Sequence, residues 1–519
     1  MISTPTTNWL DLFVLLAAFA FVVVIHERNK RLGLPYPPGP RKLPLLGNLL
    51  DLPSSFDWET YARWGKEYSE SHVIHLTAAG NDLIILNSFN AAIDLLEKRS
   101  AIYSSRPRFT MVTELMGWDW LIPGMPYGEP WRVRRRAFAK YFHAGNTAVY
   151  QPSQMEFVRK MLPSLLANPA DFLGITQHAV GGMSLSLTYG LPIKPTNDPF
   201  VLLSQRAVKS LTEAGVPGAF FVDILPFLKY VPAWFPGAGF QRKAKEWRRL
   251  QEEMREVPFE GTVRDMAAGV AKPSFTSASL QELDESGDVR HQQDVIRDTA
   301  AVIFAGGADT SVAGLHTIFL AMLCFPHTQA KAQQELDRVL KGRLPEFGDE
   351  KDLPYVGALV KEVLRWQPIL PIGIPHCTTE EDVYNGYRIP KGALVVANAW
   401  AMLHDEHMYP DPSTFNPDRF LSKDGQLDEG VRDPALMAFG FGRRLCPGIH
   451  VGKSMLWLAV ASILSTFEIS QAVDEDGRLV EPEVAYHSAL ICHPKPFKCT
   501  LKPRSTEAER FIRSAGDAY

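Results

Sequence analysis

No Asn-x-Ser/Thr acceptor occurs anywhere in the 519 residues, which favours a main body that never enters the secretory lumen. Cysteine is scarce. The five present, Cys324, Cys377, Cys446, Cys492 and Cys499, are odd in number and contain no C-x-x-C, which argues against a disulfide framework and a structural zinc knuckle. A basic excess is missing too: 54 Lys and Arg against 58 Asp and Glu leave a formal net charge of -4, so nucleic acid is not a natural partner. Internal repeats and low-complexity tracts are absent, and 39 scattered prolines point to many loops rather than a coiled coil. The phosphate-loop pattern G-x-x-x-x-G-K-[ST] does not occur. The G-A-G at 237–239 lacks the third glycine and the preceding strand of a dinucleotide fingerprint.

What is present is globular composition, 46% apolar and 22% charged, with ample material for a large core. Residues 12–25 form an unbroken apolar run, followed at once by His26-Glu27-Arg28-Asn29-Lys30-Arg31 and preceded by no Lys or Arg. That asymmetry predicts an N-terminal transmembrane anchor over 1–25 with the rest of the chain cytoplasmic. A cleaved signal peptide is the rival: Ala18-Phe19-Ala20 has the right residues but sits inside the apolar run, and the n-region lacks positive charge. A basic and proline-rich linker, 26–40, ends in LPYPPGP, a stiff extended connector.

Beyond it, 72–87 reads as two short strands around a Gly-Asn turn, and 89–100 as a helix. Helical periodicity then dominates, with one long candidate over 292–325 stopping at Pro326, another over 354–366 and a last over 448–467. A β-rich patch at 382–398 holds an Asn-Gly turn. The expectation is one mainly α unit with small β-sheets over 41–519.

The stretch FGFGRRLCPG, 439–448, packs Gly440, Gly442, Gly448, Arg443 and Arg444 around Cys446. Glycines at φ > 0 let a tight loop aim backbone N–H groups at the sulfur. Positive charge and the start of the following helix favour a thiolate. On the loop alone, an activated thiolate and a buried structural cysteine stand level. A phosphate nest or a zinc site begun by Cys446 and His450 lacks its remaining parts.

F-G-x-G-x-R-x-C-x-G resembles the haem-binding loop of the cytochrome P-450 family, and Phe439 to Gly448 match every specified position. The resemblance implies haem b with Cys446 as axial thiolate ligand, Arg444 on a propionate, and Phe439 and Gly440 in the loop beneath the ring. Three further motifs stand in family order. Glu362 and Arg365 in KEVLRW share one helix face. As a surface pair they would contribute only about 0.3–0.5 kcal/mol, but their apolar neighbours make an unpaired charge costly. The match is to E-x-x-R, with Arg419 in FNPDRF as third member of a structural brace. Trp131 and Arg135 in WRVRR match W-x-x-x-R, implied to hold a propionate, as is His376. Arg132, Arg134 and Arg136 read as solvated residues or as a docking face for an acidic electron donor.

AGGADTS, 305–311, places two glycines inside a helix, each costing about 1 kcal/mol relative to alanine. Close helix packing and a ligand against the backbone are both readings of that cost. The match to [AG]-G-x-[DE]-T-[TS] implies that the helix loosens at Gly306 and Gly307 into an oxygen-binding notch. Thr310 would then donate to bound oxygen and Asp309 connect to the proton supply. Adjacent on a helix, those two cannot share a face, so a relay through water or another side chain is implied. Without the resemblance, Thr310 reads as a back-bonded core threonine.

The resemblance covers residues 35–505 and is similar to membrane-bound fungal members that tailor secondary metabolites. It implies a monooxygenase of the endoplasmic reticulum membrane using O2, an apolar terpenoid, polyketide-like or aromatic small molecule, and electrons from NADPH-cytochrome P-450 reductase. A haem-thiolate isomerase or dehydratase, or a non-catalytic haem-binding or electron-transfer protein, are the alternatives. Segments 110–127, 214–240, 369–374 and 486–491 are implied to face the substrate.

Overall fold

The computed structural model describes residue 19 and residues 33–517, apart from 69–71, 79 and 217. Apart from Phe19, the expected anchor at 12–25 lies outside the described residues.

Helices dominate, as the periodicity predicts. The long helix spans Val289–Cys324, its N-terminus capped by the Asp288 carboxylate, which accepts from the His291 N–H. Pro326 ends it, because proline has no N–H to continue the ladder. The same proline opens the next helix, Pro326–Leu340, at a position where no N–H is needed. At about 1.5 Å per residue the long helix runs for about 54 Å, and Phe304, Val312, Leu315 and Phe319 along it are fully or almost fully buried. Around it pack the helices Glu129–Tyr141, Phe172–Tyr189, Gly239–Ala267 and Ile449–Thr466. Among the described residues, the long helix and Ile449–Thr466 are long and apolar enough to cross a membrane, and both are mostly buried in the core.

The sheets are small. Strands β1 (Val73–Ala78) and β2 (Asn81–Leu86) form the expected hairpin. A short β3 (His376–Cys377) is joined to them through β6 (Leu394–Ala397), which runs parallel to β2 and antiparallel to β3. Between these, β4 (Asp382–Tyr384) and β5 (Tyr387–Ile389) pair across Asn385-Gly386. Both turn residues have positive φ, the geometry for which Asn-Gly is favoured in two-residue hairpins. β7 (Phe467–Gln471) pairs with β8 (Cys499–Pro503).

The expected helix at 89–100 is not continuous. It is α-helical over Phe89–Ala92, widens to a π-helical stretch over Ile93–Lys98, and resumes at Ser100–Tyr103. Gly442 presses on the wide turn: a Cβ there would lie 2.3 Å from the Leu96 carbonyl oxygen. Only a glycine lets the cysteine loop approach that backbone.

Candidate active site around Cys446

The 439–448 loop is closed by the Cys446 N–H donating to the Phe439 carbonyl, 2.8 Å. Gly440 (φ +82) and Gly442 (φ +53) take the left-handed conformations expected of them. Gly448 does not: its φ is -88, at the cap of Ile449–Thr466. What it contributes is its amide, which hydrogen-bonds to the Cys446 sulfur. Burial pushes the Cys446 thiol up, opposed by that amide and by Arg135. The expected charge from Arg443 and Arg444 is directed elsewhere. Arg443 is exposed over the Tyr127 ring at 5.1 Å. Arg444 donates to the carbonyls of Ser104 (2.7 Å) and Met125 (2.7 Å) and lies 4.5 Å from the centre of the Trp131 ring. The protein alone therefore does not hold a free thiolate. A metal cation on the sulfur would supply the missing charge.

Around the loop, cationic side chains collect without an anion. Arg106 donates to the Pro123 and Pro375 carbonyls, both at 2.9 Å. The His376 Nδ1–H donates to the Tyr103 carbonyl at 2.7 Å, so Nε2 can donate to an anion only when the ring is protonated. Arg135 and the Trp131 Nε1–H make no hydrogen bond, and Arg106, Arg135, His376 and Arg444 form no salt bridge, among the described residues. Burial, first of all, brings Arg444 down to about 10 and holds Arg106 and His376 well below their ordinary values, and their positive neighbours push the same way. Buried cations need a counter-charge. The cluster fits a dianionic group lying between Trp131, Arg135, His376 and Arg444.

The two adjacent glycines of the long helix prove to have separate reasons. A Cβ on Gly307 would lie 2.7 Å from Ser184 Oγ, so that glycine lets Phe172–Tyr189 pack close. A Cβ on Gly306 would meet nothing within 4 Å, so that position faces open space. The helix is not loosened: α-helical geometry runs unbroken through it. The Thr310 hydroxyl donates to the Gly306 carbonyl at 2.8 Å, an i to i-4 back-bond within a regular helix. With its one proton committed there, it presents lone pairs only. Asp309 points away from it, to His493 Nε2 at 3.2 Å.

Glu362 and Arg365 are fully buried and bidentate, with Nε–Oε2 of 2.7 Å and Nη2–Oε1 of 2.8 Å. Arg419 joins the same carboxylate at 3.2 Å, and the Asn416 N–H donates to it at 2.7 Å. Both arginines also donate to the loop ahead of Arg419: Arg365 to the Pro412 carbonyl and Arg419 to that of Pro410, each at 2.8 Å.

Against known proteins, residues 37–501 match the family model described as Cytochrome P450. The chain belongs to the cytochrome P450 family. It is 46% identical to cytochrome P450 monooxygenase ple1 of Rhodocybe pseudopiperita over 99% of this chain and 98% of that one. It is 42% identical to tryptamine 4-monooxygenase of Psilocybe cyanescens over 96% and 99%. It is 44% identical to cytochrome P450 monooxygenase claR of Ampulloclitocybe clavipes over 93% and 89%. The protein is thus an oxidoreductase of a family that carries haem on a cysteine thiolate, uses O2 and a redox partner, and acts on small molecules.

For this P450 the three arginines read as a docking face, Arg132, Arg134 and Arg136, divide. Arg134 is not at the surface. It is buried and bound to Asp298, with Nε at 3.0 Å and Nη2 at 2.6 Å, and Arg255 takes the other oxygen of the same carboxylate at 2.7 Å. Arg132 and Arg136 are exposed, and both pair with Glu129, at 2.8 and 2.6 Å. Part of the charge that a docking face there would offer is therefore already countered. Two residues escaped the sequence reading. Arg106, in Ser105-Arg106-Pro107-Arg108, looked like any loop arginine. His493 lies 184 positions from Asp309, and no spacing rule joins them.

Proposed function

We propose that this P450 is a membrane-anchored monooxygenase that hydroxylates or epoxidises an apolar small molecule, a terpenoid or polyketide-like secondary metabolite of a fungus, with electrons from NADPH-cytochrome P450 reductase. The observation that carries this reading is the cluster of Arg106, Arg135 and Arg444, which has no countering anion among the described residues and lies beside the Cys446 loop of a P450 chain. In the reading, Cys446 would be the haem ligand, Trp131, Arg135, His376 and Arg444 would hold the propionates, and Phe439 and Gly440 would shape the loop that presents the sulfur. Haem, when bound, supplies the centre at which O2 is reduced and one oxygen atom transferred. The protein's part is to exclude bulk water and to order proton delivery. Thr310 Oγ accepts from a water held against the Gly306 face, and Asp309 supplies the proton from the other side of the helix. Glu362, Arg365 and Arg419 brace the loop side of the core. A second reading, an aromatic substrate, is favoured by the name of the relative tryptamine 4-monooxygenase.

The membrane part of the proposal, with the main body on the cytoplasmic side of the endoplasmic reticulum, rests on the apolar run at 12–25. It is supported by exposed apolar side chains on the described chain: Phe221, Phe227, Tyr230, Trp234 and Phe235 along 221–235, with Trp234 79% exposed. Isolated exposed residues carry no message, but a run of large ones marks an interaction surface. Protease added to sealed microsomes is expected to digest the main body; protection of it would contradict the topology.

Thr310→Ala tests the oxygen chemistry. The variant is expected to keep the spectrum of the reduced carbonyl complex and much of the NADPH consumption once reductase is added. Product per NADPH should fall several-fold while hydrogen peroxide rises, because the water at Gly306 loses its acceptor. Simultaneous measurement of product, peroxide and NADPH decides. Unchanged coupling would leave Thr310 as helix packing.

A further inference from the structure

Asp309 has a partner that the family motif does not provide. The stretch 485–495 folds back on itself: Tyr486 bridges to Pro494, the His487 N–H donates to the His493 carbonyl (2.9 Å), and the Lys495 N–H to that of Ala485 (2.8 Å). Two side chains at the base of this hairpin tie it to the long helix two turns apart. The Tyr486 hydroxyl donates to Thr317 Oγ1 at 3.1 Å, and His493 Nε2 meets Asp309 Oδ2 at 3.2 Å. The hairpin tip reaches the opposite wall, where Leu490 packs against Gly215 so closely that a Cβ there would lie 2.9 Å away. One short element therefore joins the segment expected to face the substrate with the carboxylate expected to supply protons.

Among the described residues, His493 has one ionic partner, Asp309. The pair is largely enclosed, with side-chain exposures of 23% and 16%. On the same helix the His316 ring lies 6.2 Å away. From the helix Phe172–Tyr189, Thr176 Oγ1 (3.1 Å) and the Leu173 carbonyl (3.2 Å) hold its Nε2. Burial, and then the neighbouring His493, brings His316 down to about 4, so it stays neutral in the working range. His487 and Lys495 lie on the hairpin itself, joined to it by the backbone bonds above. The titratable contact is therefore one imidazole facing one carboxylate.

We propose that His493 is the positioning residue of the proton supply: it fixes the direction of the Asp309 carboxylate and hands it the Nε2 proton. The step balances as imidazolium plus carboxylate giving imidazole plus carboxylic acid, with the imidazole regaining its proton from solvent. This rests on the proposed monooxygenase reading. It adds that the substrate-facing hairpin and proton delivery are mechanically one part, and its failure leaves that reading intact if the carbonyl spectrum and substrate binding are unchanged.

The test has a readout that does not depend on turnover. In the haem-loaded, full-length protein with nitrogen-labelled histidine, the resonance assigned to His493 by its loss in His493→Gln is titrated by NMR. A facing carboxylate favours the protonated ring, so the midpoint is expected to be lower in Asp309→Asn than in the wild type. His493→Gln, which keeps an N–H donor but cannot release a proton, is expected to keep substrate binding. It should slow product formation about tenfold, a modest share of what proton-transfer groups supply. The fall in rate that the wild type shows as pH rises through the His493 midpoint should also disappear. An unchanged His493 midpoint in Asp309→Asn, or a pH profile identical in wild type and His493→Gln, would overturn the proposal and leave the contact as a loop anchor.

Discussion

Glu362→Ala is expected to destabilise the folded chain by about 3–5 kcal/mol, the usual cost of removing one partner from a buried ion pair. The carboxylate has no exposed surface and takes two bonds from Arg365, one from Arg419 and one from the Asn416 amide. Its removal strands two guanidinium groups at sites that are 0% and 7% exposed. Their remaining acceptors, the carbonyls of Leu403, Pro410, Asp411, Pro412 and Thr414, are neutral. Glu362→Gln keeps an acceptor for one arginine and should be milder. The denaturant midpoint and the yield of haem-loaded protein measure both variants. A Glu362→Ala midpoint equivalent to less than about 0.5 kcal/mol, the range of an ordinary surface substitution, would show that the carbonyls suffice.

Cys446→Ala is expected to abolish product formation altogether. The other four cysteines have no place in this site. Cys492 bonds its own hairpin at the Ala489 carbonyl, Cys377 sits on the short β3, and Cys324 and Cys499 belong to the ends of elements packed elsewhere. Burial pushes each of these four thiols up, Cys492 and Cys499 to about 12, with no nearby cation to offset it. Cys446 alone combines burial with a helix-start amide and the Arg135 guanidinium. The cationic cluster does not include the sulfur, so some haem should still bind in the variant through its propionates. Measured turnover above background would mean that another group serves the iron.

Much of this was legible because the relevant signals are local. The helix over 354–366 is bounded by a proline at its first position and an apolar stripe, and both are in the sequence. The Asn-Gly turn and the Pro326 boundary are of the same kind. Gly306 and Gly307 show where legibility stopped. Two identical residues in one motif divide into a packing glycine and an open one, and that division depends on Ser184, more than 100 positions away. Arg134 was placed on a surface because its neighbours Arg132 and Arg136 belong there, but helical rotation turns it onto Asp298 of another helix. The loop arginines were credited with stabilising the sulfur because they adjoin it in sequence. In space the nearer charge is Arg135, from the helix Glu129–Tyr141. In each case the motif marked the neighbourhood and the tertiary packing assigned the partner.

The central claim is that this chain binds haem through the Cys446 thiolate, and the reduced carbonyl complex reports on that bond directly. Wild-type protein in membranes, reduced and exposed to carbon monoxide, is expected to give the strongly red-shifted Soret band of a thiolate-ligated haem, and Cys446→Ala to lack it even where haem is retained. A wild type without that band, or a variant that keeps it, would contradict the account.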